Sequence, residues 1–396
     1  MKEIRYGIVG LGNEGSYYCY LFNDKQVHNA KITALCDTNP SKIENAKKSM
    51  EGFDVQYFSD YKEMIDSGLI DAVIVVTPHY SHAEISKYAM EKGVAVLCDK
   101  PAGVYTKQVR EMNECAKKTN TPFGMMFNQR TNSVFRKMHE LIENGEIGEL
   151  MRVSWLITDW YRTQSYYDSG SWRATWQGEG GGVLINQCPH QLDLLQWVLG
   201  KTPVSVNGFC EYGKWHDIEV EDEVTAFLRF DNGATGVFIT TTGEAPGTNR
   251  FEVVGSKGNI VCDNNVDLYL YKNNNDLFIH TKECPQGFEK PKMEVIKVET
   301  DGENRQHAGI IDNFTDSLLG LEKLYVDGAE GIKGVELMNA IELSGWNNGM
   351  TVNIPVDEEE YLKVLNEKRA NSRFKEACDD KVIDNSSSFG TNNCKK

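Results

Sequence analysis

The stretch that decides the fold is Tyr6-Gly7-Ile8-Val9-Gly10-Leu11-Gly12-Asn13-Glu14-Gly15. An apolar run that enters Gly-x-Gly-x-x-Gly and then a helical pattern is typical of a dinucleotide-binding βαβ unit. Gly10 permits the tight turn, Gly12 lets the backbone approach a pyrophosphate, and Gly15 allows close packing of helix on strand. The helix N-terminus then turns its N–H groups toward the phosphates. The predicted phosphate-binding residues are Gly10, Leu11, Gly12, Asn13, Glu14 and Gly15.

Asp37 ends the second apolar run, 22 residues beyond Gly15. A carboxylate at this point accepts hydrogen bonds from a ribose 2′-OH and repels a 2′-phosphate. No arginine occurs in the segment Thr38-Asn39-Pro40-Ser41-Lys42 that follows. The sequence therefore predicts NAD rather than NADP as the cofactor.

Two different patterns divide the chain. The first ~125 residues alternate short apolar runs with helical stretches, which indicates a doubly wound parallel sheet of the Rossmann type. After about Gln129 come long alternating strands, with a hairpin signal at Asp231-Asn232-Gly233, which indicate a large open, mainly antiparallel sheet. We predict an NAD-binding Rossmann domain over 1–127, a substrate-binding and oligomerisation α+β domain over 128–374, and a polar, mobile tail over 375–396. The open sheet face favours a homo-oligomer.

Composition excludes several classes of partner. The formal net charge of −16 repels nucleic-acid phosphates and anionic lipid. The N-terminus lacks an apolar signal core and no apolar run reaches membrane-spanning length, so we expect a soluble, cytoplasmic protein. The ten cysteines include no Cys-x-x-Cys pair. We expect them to be reduced thiols and expect no metal site.

Polar residues follow two later strands of the predicted parallel sheet. Thr77-Pro78-His79 ends the fourth strand, and His82 comes shortly after. Ligands bind at this carboxyl edge in doubly wound folds, so these residues are cofactor candidates, although turn and helix-start roles explain them equally well. Cys98-Asp99-Lys100-Pro101 follows the fifth strand, where the proline favours an extended backbone at Lys100.

A second motif, Gly180-Gly181-Gly182-Val183-Leu184-Ile185-Asn186-Gln187-Cys188-Pro189-His190, opens a helix in the second domain. Asn186 and His190 are four residues apart, so they share a helix face. Asn186 can orient a hydroxyl but cannot take its proton. An imidazole, with an ordinary pKa of about 6.5, suits that work at neutral pH. A lysine and a histidine beside a nicotinamide are sufficient for an alcohol dehydrogenase that uses no metal. The alternative for His190 is a buried structural role.

With these motifs the chain resembles the glucose–fructose oxidoreductase / inositol dehydrogenase / rhizopine-catabolism (Gfo/Idh/MocA) family over almost all of residues 1–370. Asp99-Lys100-Pro101 stands where the family usually has Glu-Lys-Pro, and Asn186 where many relatives have aspartate. The resemblance implies that Lys100 hydrogen-bonds the substrate hydroxyl. It also implies that Asn128 and Gln129 lie near the nicotinamide ribose. Trp172 and Arg173 would lie near the nicotinamide and the substrate.

The segment from Trp155 to Trp176 contains four of the seven tryptophans and three tyrosines, interleaved with polar residues. Aromatic faces beside polar side chains suit a sugar or polyol, although a packed aromatic layer is the alternative. The further substrate candidates are Tyr161, Tyr167, Trp176 and, at the start of a late helix, His307. Relatives that share this segment look like dehydrogenases of inositols, glucosides or anhydro-sugars. Some of these oxidise C3 of O- or C-linked glucosides.

We therefore predict an NAD-dependent dehydrogenase that oxidises a secondary hydroxyl of a sugar, glycoside or inositol. In this mechanism His190 is the general base and acid, and Lys100 orients and polarises the hydroxyl. Two alternatives remain. One is a redox-cycling enzyme that cleaves glycosides through a 3-keto intermediate. The other is a non-catalytic sensor that binds NAD and a sugar.

Overall fold

The computed structural model describes residues 3–373, and these form two compact units. The first unit runs to Thr131 and includes Gly178–Gly180 and Asn304–Val335. The second contains Asn132–Gln177, Gly181–Glu303 and the chain from Glu336 onward. The predicted tail over 375–396 lies outside the described residues.

The first unit is built on a six-stranded parallel sheet in the order β3-β2-β1-β4-β5-β6. Its strands are β1 (Ile4–Val9), β2 (Ala30–Cys36), β3 (Gln56–Phe58), β4 (Ala72–Val75), β5 (Ala95–Cys98) and β6 (Phe123–Met125). All four residues of β4 and of β5 are buried, as expected for central strands that helices cover on both faces. The Rossmann prediction is confirmed.

The second unit contains a nine-stranded sheet in the order β14-β13-β12-β11-β7-β10-β9-β8-β15. Its strands are β7 (Leu150–Ile157), β8 (Ser205–Tyr212), β9 (Glu221–Arg229), β10 (Thr235–Thr241), β11 (Asn249–Gly255), β12 (Gly258–Asp263), β13 (Asp267–Asn273), β14 (Met293–Lys297) and β15 (Val352–Asn353). The pairing of β7 with β10 is parallel and the other pairings are antiparallel. The predicted hairpin over 231–233 joins β9 to β10, and the mainly antiparallel sheet is confirmed.

The described helices complete both units. They are α1 (Asn13–Asn23), α2 (Pro40–Ser49), α3 (Tyr61–Asp66), α4 (His82–Glu91), α5 (Thr106–Thr119), α6 (Ser133–Glu143), α7 (Gln164–Tyr167), α8 (Val183–Asn186), α9 (Pro189–Leu199), α10 (Leu277–Glu283), α11 (Gln306–Leu318), α12 (Gly331–Trp346) and α13 (Glu358–Ala370). Across residues 3–373, no helix has the length and apolar character needed to cross a membrane.

Helix α11 belongs to the first unit, which differs from the contiguous domains that the sequence predicts. The buried Tyr6 hydroxyl lies 2.9 Å from Thr315 Oγ1, which joins β1 to α11. Gly124 of β6 makes room for Phe314, since a Cβ at that glycine would lie 2.9 Å from the phenyl ring. The prediction assigned Asn304–Val335 to the second domain. The structure returns this segment to the Rossmann sheet because its apolar face packs there.

One face of the nine-stranded sheet is closed by aromatic packing. Along β7, Val153, Trp155 and Ile157 are buried and alternate with more exposed residues. The Trp155 indole stacks on Phe251 with a centroid distance of 4.2 Å. On the opposite face Phe209 of β8 is 56% exposed. The sheet of this chain therefore has one covered and one open face, as its alternating sequence indicates.

Candidate active site

The glycine loop between β1 and α1 has the shape of a phosphate-binding turn. Gly10 has φ +102°, a conformation that favours glycine, and a Cβ there would lie 2.6 Å from the Val76 carbonyl oxygen. At Gly15 an added Cβ would come within 1.9 Å of the Gly10 oxygen, whereas at Gly12 it would meet no atom within 4 Å. Two of the three glycines are needed for packing, and Gly12 leaves open space in front of the helix.

Asp37 lies at the carboxyl end of β2 and is bonded to the glycine loop. Its Oδ2 accepts a hydrogen bond from the Leu11 amide at 2.7 Å, and its Oδ1 accepts one from the Asn39 amide at 2.8 Å. Each carboxylate oxygen can accept more than one hydrogen bond, so the half-buried group retains capacity for a ribose hydroxyl. The loop, Asp37 and the N-terminus of α1 (whose N-cap Gly12 supplies no side chain) fit the adenosine half of NAD.

The residues that follow β4 are held together by their own hydrogen bonds. His82 is buried, and its ring nitrogens lie 2.8 Å from the Pro101 oxygen and 2.6 Å from the Thr77 oxygen. Burial lowers the pKa of this imidazole, although both carbonyls favour the charged form. His79 Nδ1 lies 3.2 Å from the Glu179 oxygen. Both predicted cofactor histidines therefore brace backbone in the first unit, while Pro78 is exposed beside them.

Asp99 and Lys100 follow β5 at the same sheet edge. Asp99 is buried; its Oδ2 accepts the Tyr18 hydroxyl at 2.9 Å and its Oδ1 accepts the Lys100 amide at 2.7 Å. Burial raises the pKa of Asp99, and the Lys100 ammonium opposes that rise. Asp99 therefore anchors the Lys100 backbone to Tyr18 of α1.

A titratable cluster surrounds the start of α1. His307 Nε2 lies 3.2 Å from Glu14 Oε1, and the ring packs against Tyr17 and Tyr18. Burial, followed by the Lys100 charge, lowers the pKa of His307 to about 3. Burial, followed by the Asp99 charge, raises the pKa of Glu14 to about 7. His307, predicted from sequence as a substrate residue, is thus an uncharged neighbour of the glycine loop.

Asn128 and Gln129 lie just after β6 and share one partner. Asn128 Nδ2 donates to Gln306 Oε1 at 2.6 Å, and Gln129 Nε2 donates to the same oxygen at 3.1 Å. Gln306 begins α11, so this contact ties the late helix to the carboxyl edge of the sheet. In the first unit the structure therefore brings the glycine loop, Asp37, Asp99, Lys100, Asn128 and Gln129 to one sheet edge.

In the second unit Asn186 belongs to a polar cluster centred on Tyr166. The Tyr166 hydroxyl donates to Asn186 Oδ1 at 3.2 Å and accepts from Arg173 Nη1 at 3.1 Å. The Arg173 guanidinium also lies 4.5 Å from the Trp172 ring centroid and 4.7 Å from that of Tyr166. Asn186 ends α8, and the half-buried His190 lies in the first turn of α9. Asn186, Trp172 and Arg173, which the sequence singled out, are therefore joined through Tyr166.

The other aromatic candidates have different surroundings. Trp176 is buried against Tyr212 and Trp346, and Lys368 Nζ lies 5.1 Å from its ring centroid. The buried Tyr167 donates its hydroxyl to Thr242 Oγ1 at 2.8 Å. Both have the packing role that the sequence left as an alternative, whereas Tyr161 is 51% exposed.

Sequence reasoning missed Tyr166. Tyr166 stood among the three tyrosines of the aromatic segment without being chosen, because spacing alone does not tell which ring meets Asn186. Glu14 was predicted as part of the phosphate-binding loop, but the contact of its side chain with His307 could not be foreseen from the sequence. Among residues 3–373, no three His, Cys, Asp or Glu side chains are grouped as metal ligands would be.

Comparisons with known proteins agree with this architecture. Residues 4–127 match the oxidoreductase family with an NAD-binding Rossmann fold, and residues 135–261 match the GFO/IDH/MocA C-terminal domain. Myo-inositol 2-dehydrogenase of Thermotoga maritima is 28% identical over 270 residues, which cover 66% of this chain and 75% of the relative. Levoglucosan dehydrogenase of Pseudarthrobacter phenanthrenivorans is 26% identical over 292 residues, with coverage of 66% and 74%.

A solved structure shows the same fold. The WlbA dehydrogenase from Bordetella pertussis, crystallised with NADH and UDP-GlcNAcA, superposes with a TM-score of 0.74 at 24% identity. The match covers 90% of this chain and all of that one. The glycine loop, the Lys100 segment and both matched domains lead to one conclusion: the chain belongs to the GFO/IDH/MocA family and is an oxidoreductase with an NAD-binding Rossmann domain.

Proposed function

We propose that the protein is a cytoplasmic NAD-dependent dehydrogenase that acts on a secondary hydroxyl of a sugar, glycoside or inositol. The hydroxyl on C3 of an O- or C-linked glucoside is one of the hydroxyls that it would oxidise. The observation that carries the proposal is the placement of Lys100 directly after β5, at the sheet edge that also holds the glycine loop and Asp37. Ligands of doubly wound sheets bind at this edge.

The residues present fit NAD. Gly12 and the N-terminus of α1 would hold the pyrophosphate, Asp37 the adenosine ribose, and Asn128 with Gln129 the nicotinamide ribose. When bound, the nicotinamide supplies a hydride acceptor beside the reacting carbon. Thr77, Pro78, His79 and His82 shape the same edge, and the last two do so through backbone contacts.

Side chains of the protein transfer the hydroxyl proton and stabilise the negative charge that develops on the substrate oxygen. We assign to Lys100 a hydrogen bond from its ammonium to the substrate oxygen, which stabilises negative charge as the C–H bond breaks. His190 takes the hydroxyl proton in oxidation and returns it in reduction. Asn186 orients the hydroxyl, with its amide oxygen already bonded by Tyr166. Arg173, Trp172 and Tyr161 contribute contacts to the sugar ring.

The substrate class rests on the chemistry of this cluster and on the relatives. Aromatic rings, a guanidinium and amides offer stacking faces for ring C–H groups and hydrogen bonds for hydroxyls. Two relatives are named as dehydrogenases of myo-inositol and levoglucosan, a polyol and a sugar derivative. We infer that this chain shares the hydride chemistry of these relatives. Its substrate within this class is to be identified by experiment.

The test is the absorbance of reduced nicotinamide when the protein is mixed with NAD and a panel of inositols, free sugars, O-glucosides and C-glucosides. The proposal predicts steady growth of that band with one substrate class at catalytic enzyme. A change at stoichiometric enzyme only, with release of the aglycone, identifies the redox-cycling glycoside cleavage instead. Binding of NAD and sugar without any absorbance change would contradict the proposal and support the sensor.

Self-association through the open face of the nine-stranded sheet is part of the proposal. Phe209 and Thr225, on neighbouring strands β8 and β9, are both exposed on that face. Arg152 of β7 and Glu252 of β11 form an ion pair elsewhere on the same sheet, and such a mixture of apolar and polar groups suits a subunit interface. Light scattering should give a mass above that of one 44.7 kDa chain.

A further inference from the structure

Two carboxylates lie completely buried in the second unit, directly beneath the glycine-rich turn that precedes Asn186. Glu221, at the start of β9, and Glu342, on α12, have no exposed surface. Burying one unpaired carboxylate is costly, and burying two beside each other is more so. Neither belongs to the motifs that predicted the site, so their position requires its own explanation.

Glu221 is bonded to the backbone of the turn. Both of its carboxylate oxygens accept the Gly182 amide at 2.9 Å, and Oε1 also accepts the Leu184 amide at 3.1 Å. These amides belong to the N-cap and second residue of α8, whose N–H groups have no partner within the helix. Glu221 thereby satisfies N–H groups that the short helix itself leaves without a partner.

Glu342 has different neighbours. Its Oε2 accepts the Tyr361 hydroxyl at 2.5 Å, and its Oε1 has no hydrogen-bond partner among the described residues. Burial first, and then the charge of Glu221, raise the pKa of Glu342 well above its ordinary value. Glu221 is therefore the member of the pair that is bonded to the backbone amides of the turn, whereas the hydrogen bond of Glu342 goes to Tyr361.

The glycines of the turn are explained by the same pair. A Cβ at Gly182 would lie 2.0 Å from the Glu221 carbonyl oxygen, and a Cβ at Gly181 would lie 2.9 Å from Glu342 Oε1. The backbone thus lies against both glutamates with no room for a side chain. Glu221 therefore contacts the start of α8 through its backbone oxygen as well as through its carboxylate.

We propose that Glu221 is a positioning residue for the dehydrogenase site: its buried carboxylate clamps the start of α8 and so fixes Asn186 toward the substrate. The proposal rests on the proposed function, because the reaction is what gives the position of Asn186 its meaning. Asn186 lies two residues beyond the Leu184 amide that Glu221 accepts. A shift of about 1 Å at such a group can lower a rate ~100-fold.

The test exchanges each glutamate for its amide. Glu221→Gln keeps the shape but sets a side-chain N–H donor against the Gly182 or Leu184 N–H. Glu342→Gln makes the same exchange at the neighbouring buried carboxyl, which is bonded to Tyr361, and is the matched control. Glu221→Asp keeps the charge and serves as a second variant in case Glu221→Gln does not fold. The readouts are amide hydrogen exchange over residues 181–188, Kd for NAD, and kcat and KM on the accepted sugar.

We expect Glu221→Gln to raise exchange of the Gly182 and Leu184 amides and to lower kcat by about 10- to 100-fold, with Kd for NAD unchanged. The kcat of Glu342→Gln should stay within about twofold of wild type. The kcat of Glu221→Asp should fall less than that of Glu221→Gln. Unchanged exchange and kcat in Glu221→Gln, or equal losses in both amide variants, would overturn the clamp. Exchange needs no substrate, so failure of the proposed function would show separately, as a wild type that turns over no sugar.

Discussion

The glycine loop offers a prediction in which the same substitution lowers NAD affinity at Gly12 but the stability of the fold at Gly15, three residues later. In Gly12→Ala the new Cβ meets no protein atom within 4 Å, and the backbone at φ −70° and ψ −163° suits alanine. The free energy of unfolding should therefore change by no more than about 0.5 kcal/mol. In Gly15→Ala the Cβ would lie 1.9 Å from the Gly10 oxygen, and overpacking of this kind costs about 1–3 kcal/mol.

The effect of Gly12→Ala should appear in cofactor binding. The methyl group occupies the space through which the pyrophosphate approaches the N-terminus of α1. Loss of one charge-assisted hydrogen bond costs about 1.5–3 kcal/mol, which corresponds to a rise in Kd for NAD of roughly 10- to 100-fold.

Calorimetric titration with NAD measures the change directly, and thermal unfolding with and without NAD provides a second reading. Each tenfold loss of affinity removes about 1.4 kcal/mol of the stabilisation at saturating NAD. Gly15→Ala is the contrasting variant, with lower stability before NAD is added. Wild-type affinity in Gly12→Ala would refute the assignment of the phosphate site to this loop.

Three further predictions concern single side chains. Asp37→Ala should raise Kd for NAD and reduce the ratio of Kd for NADP to Kd for NAD. An unchanged ratio would contradict the assignment of Asp37 to the adenosine ribose. Glu14 binds its proton more tightly in the folded state than in the unfolded state, since burial and Asp99 raise its pKa to about 7. Its contribution to stability is present below its ordinary pKa of 4.5 and is lost as the pH rises through about 7. Urea unfolding from about pH 5 to pH 8 should therefore show Glu14→Gln gaining roughly 1–2 kcal/mol over wild type, a value reduced because the side chain is 31% exposed. If the free energies of unfolding of wild type and Glu14→Gln changed in parallel with pH, the raised pKa of Glu14 would be contradicted. Tyr166→Phe removes the hydroxyl bonded to Asn186 and should lower kcat/KM about tenfold at constant Kd for NAD. Equal kcat/KM in the two proteins would remove Tyr166 from the site.

Strands and tight turns could be predicted from the sequence because they depend on residues that are close together in the chain. The parallel sheet of the first ~125 residues could be predicted, since a buried parallel strand is a continuous apolar run between turn signals. The hairpin at Asp231–Gly233 follows from turn chemistry in the same way. The two-residue β15 and the largely exposed β14 leave no comparable apolar run in the sequence.

Long-range contacts could not be predicted. Nothing in the sequence around His307 indicates that α11 returns to the Rossmann sheet or that its ring meets Glu14. Trp176 has the residue type of a sugar-binding platform, but its surroundings are Tyr212, Trp346 and Lys368. The identity of a side chain indicates what it can do. Its partners depend on packing between segments far apart in the chain.

In the proposed reaction, hydride passes from a sugar C–H bond to NAD and His190 accepts the hydroxyl proton. The most direct measurement uses the accepted sugar with deuterium on its ring carbons, stoichiometric enzyme and NAD, stopped in alkali and read by mass spectrometry. Wild type should yield reduced nicotinamide carrying one deuterium. His190→Ala should bind NAD normally and form that product about 10²–10⁴ times more slowly. Consumption of the sugar without deuterium on the nicotinamide, or an equal rate in His190→Ala, would contradict the account.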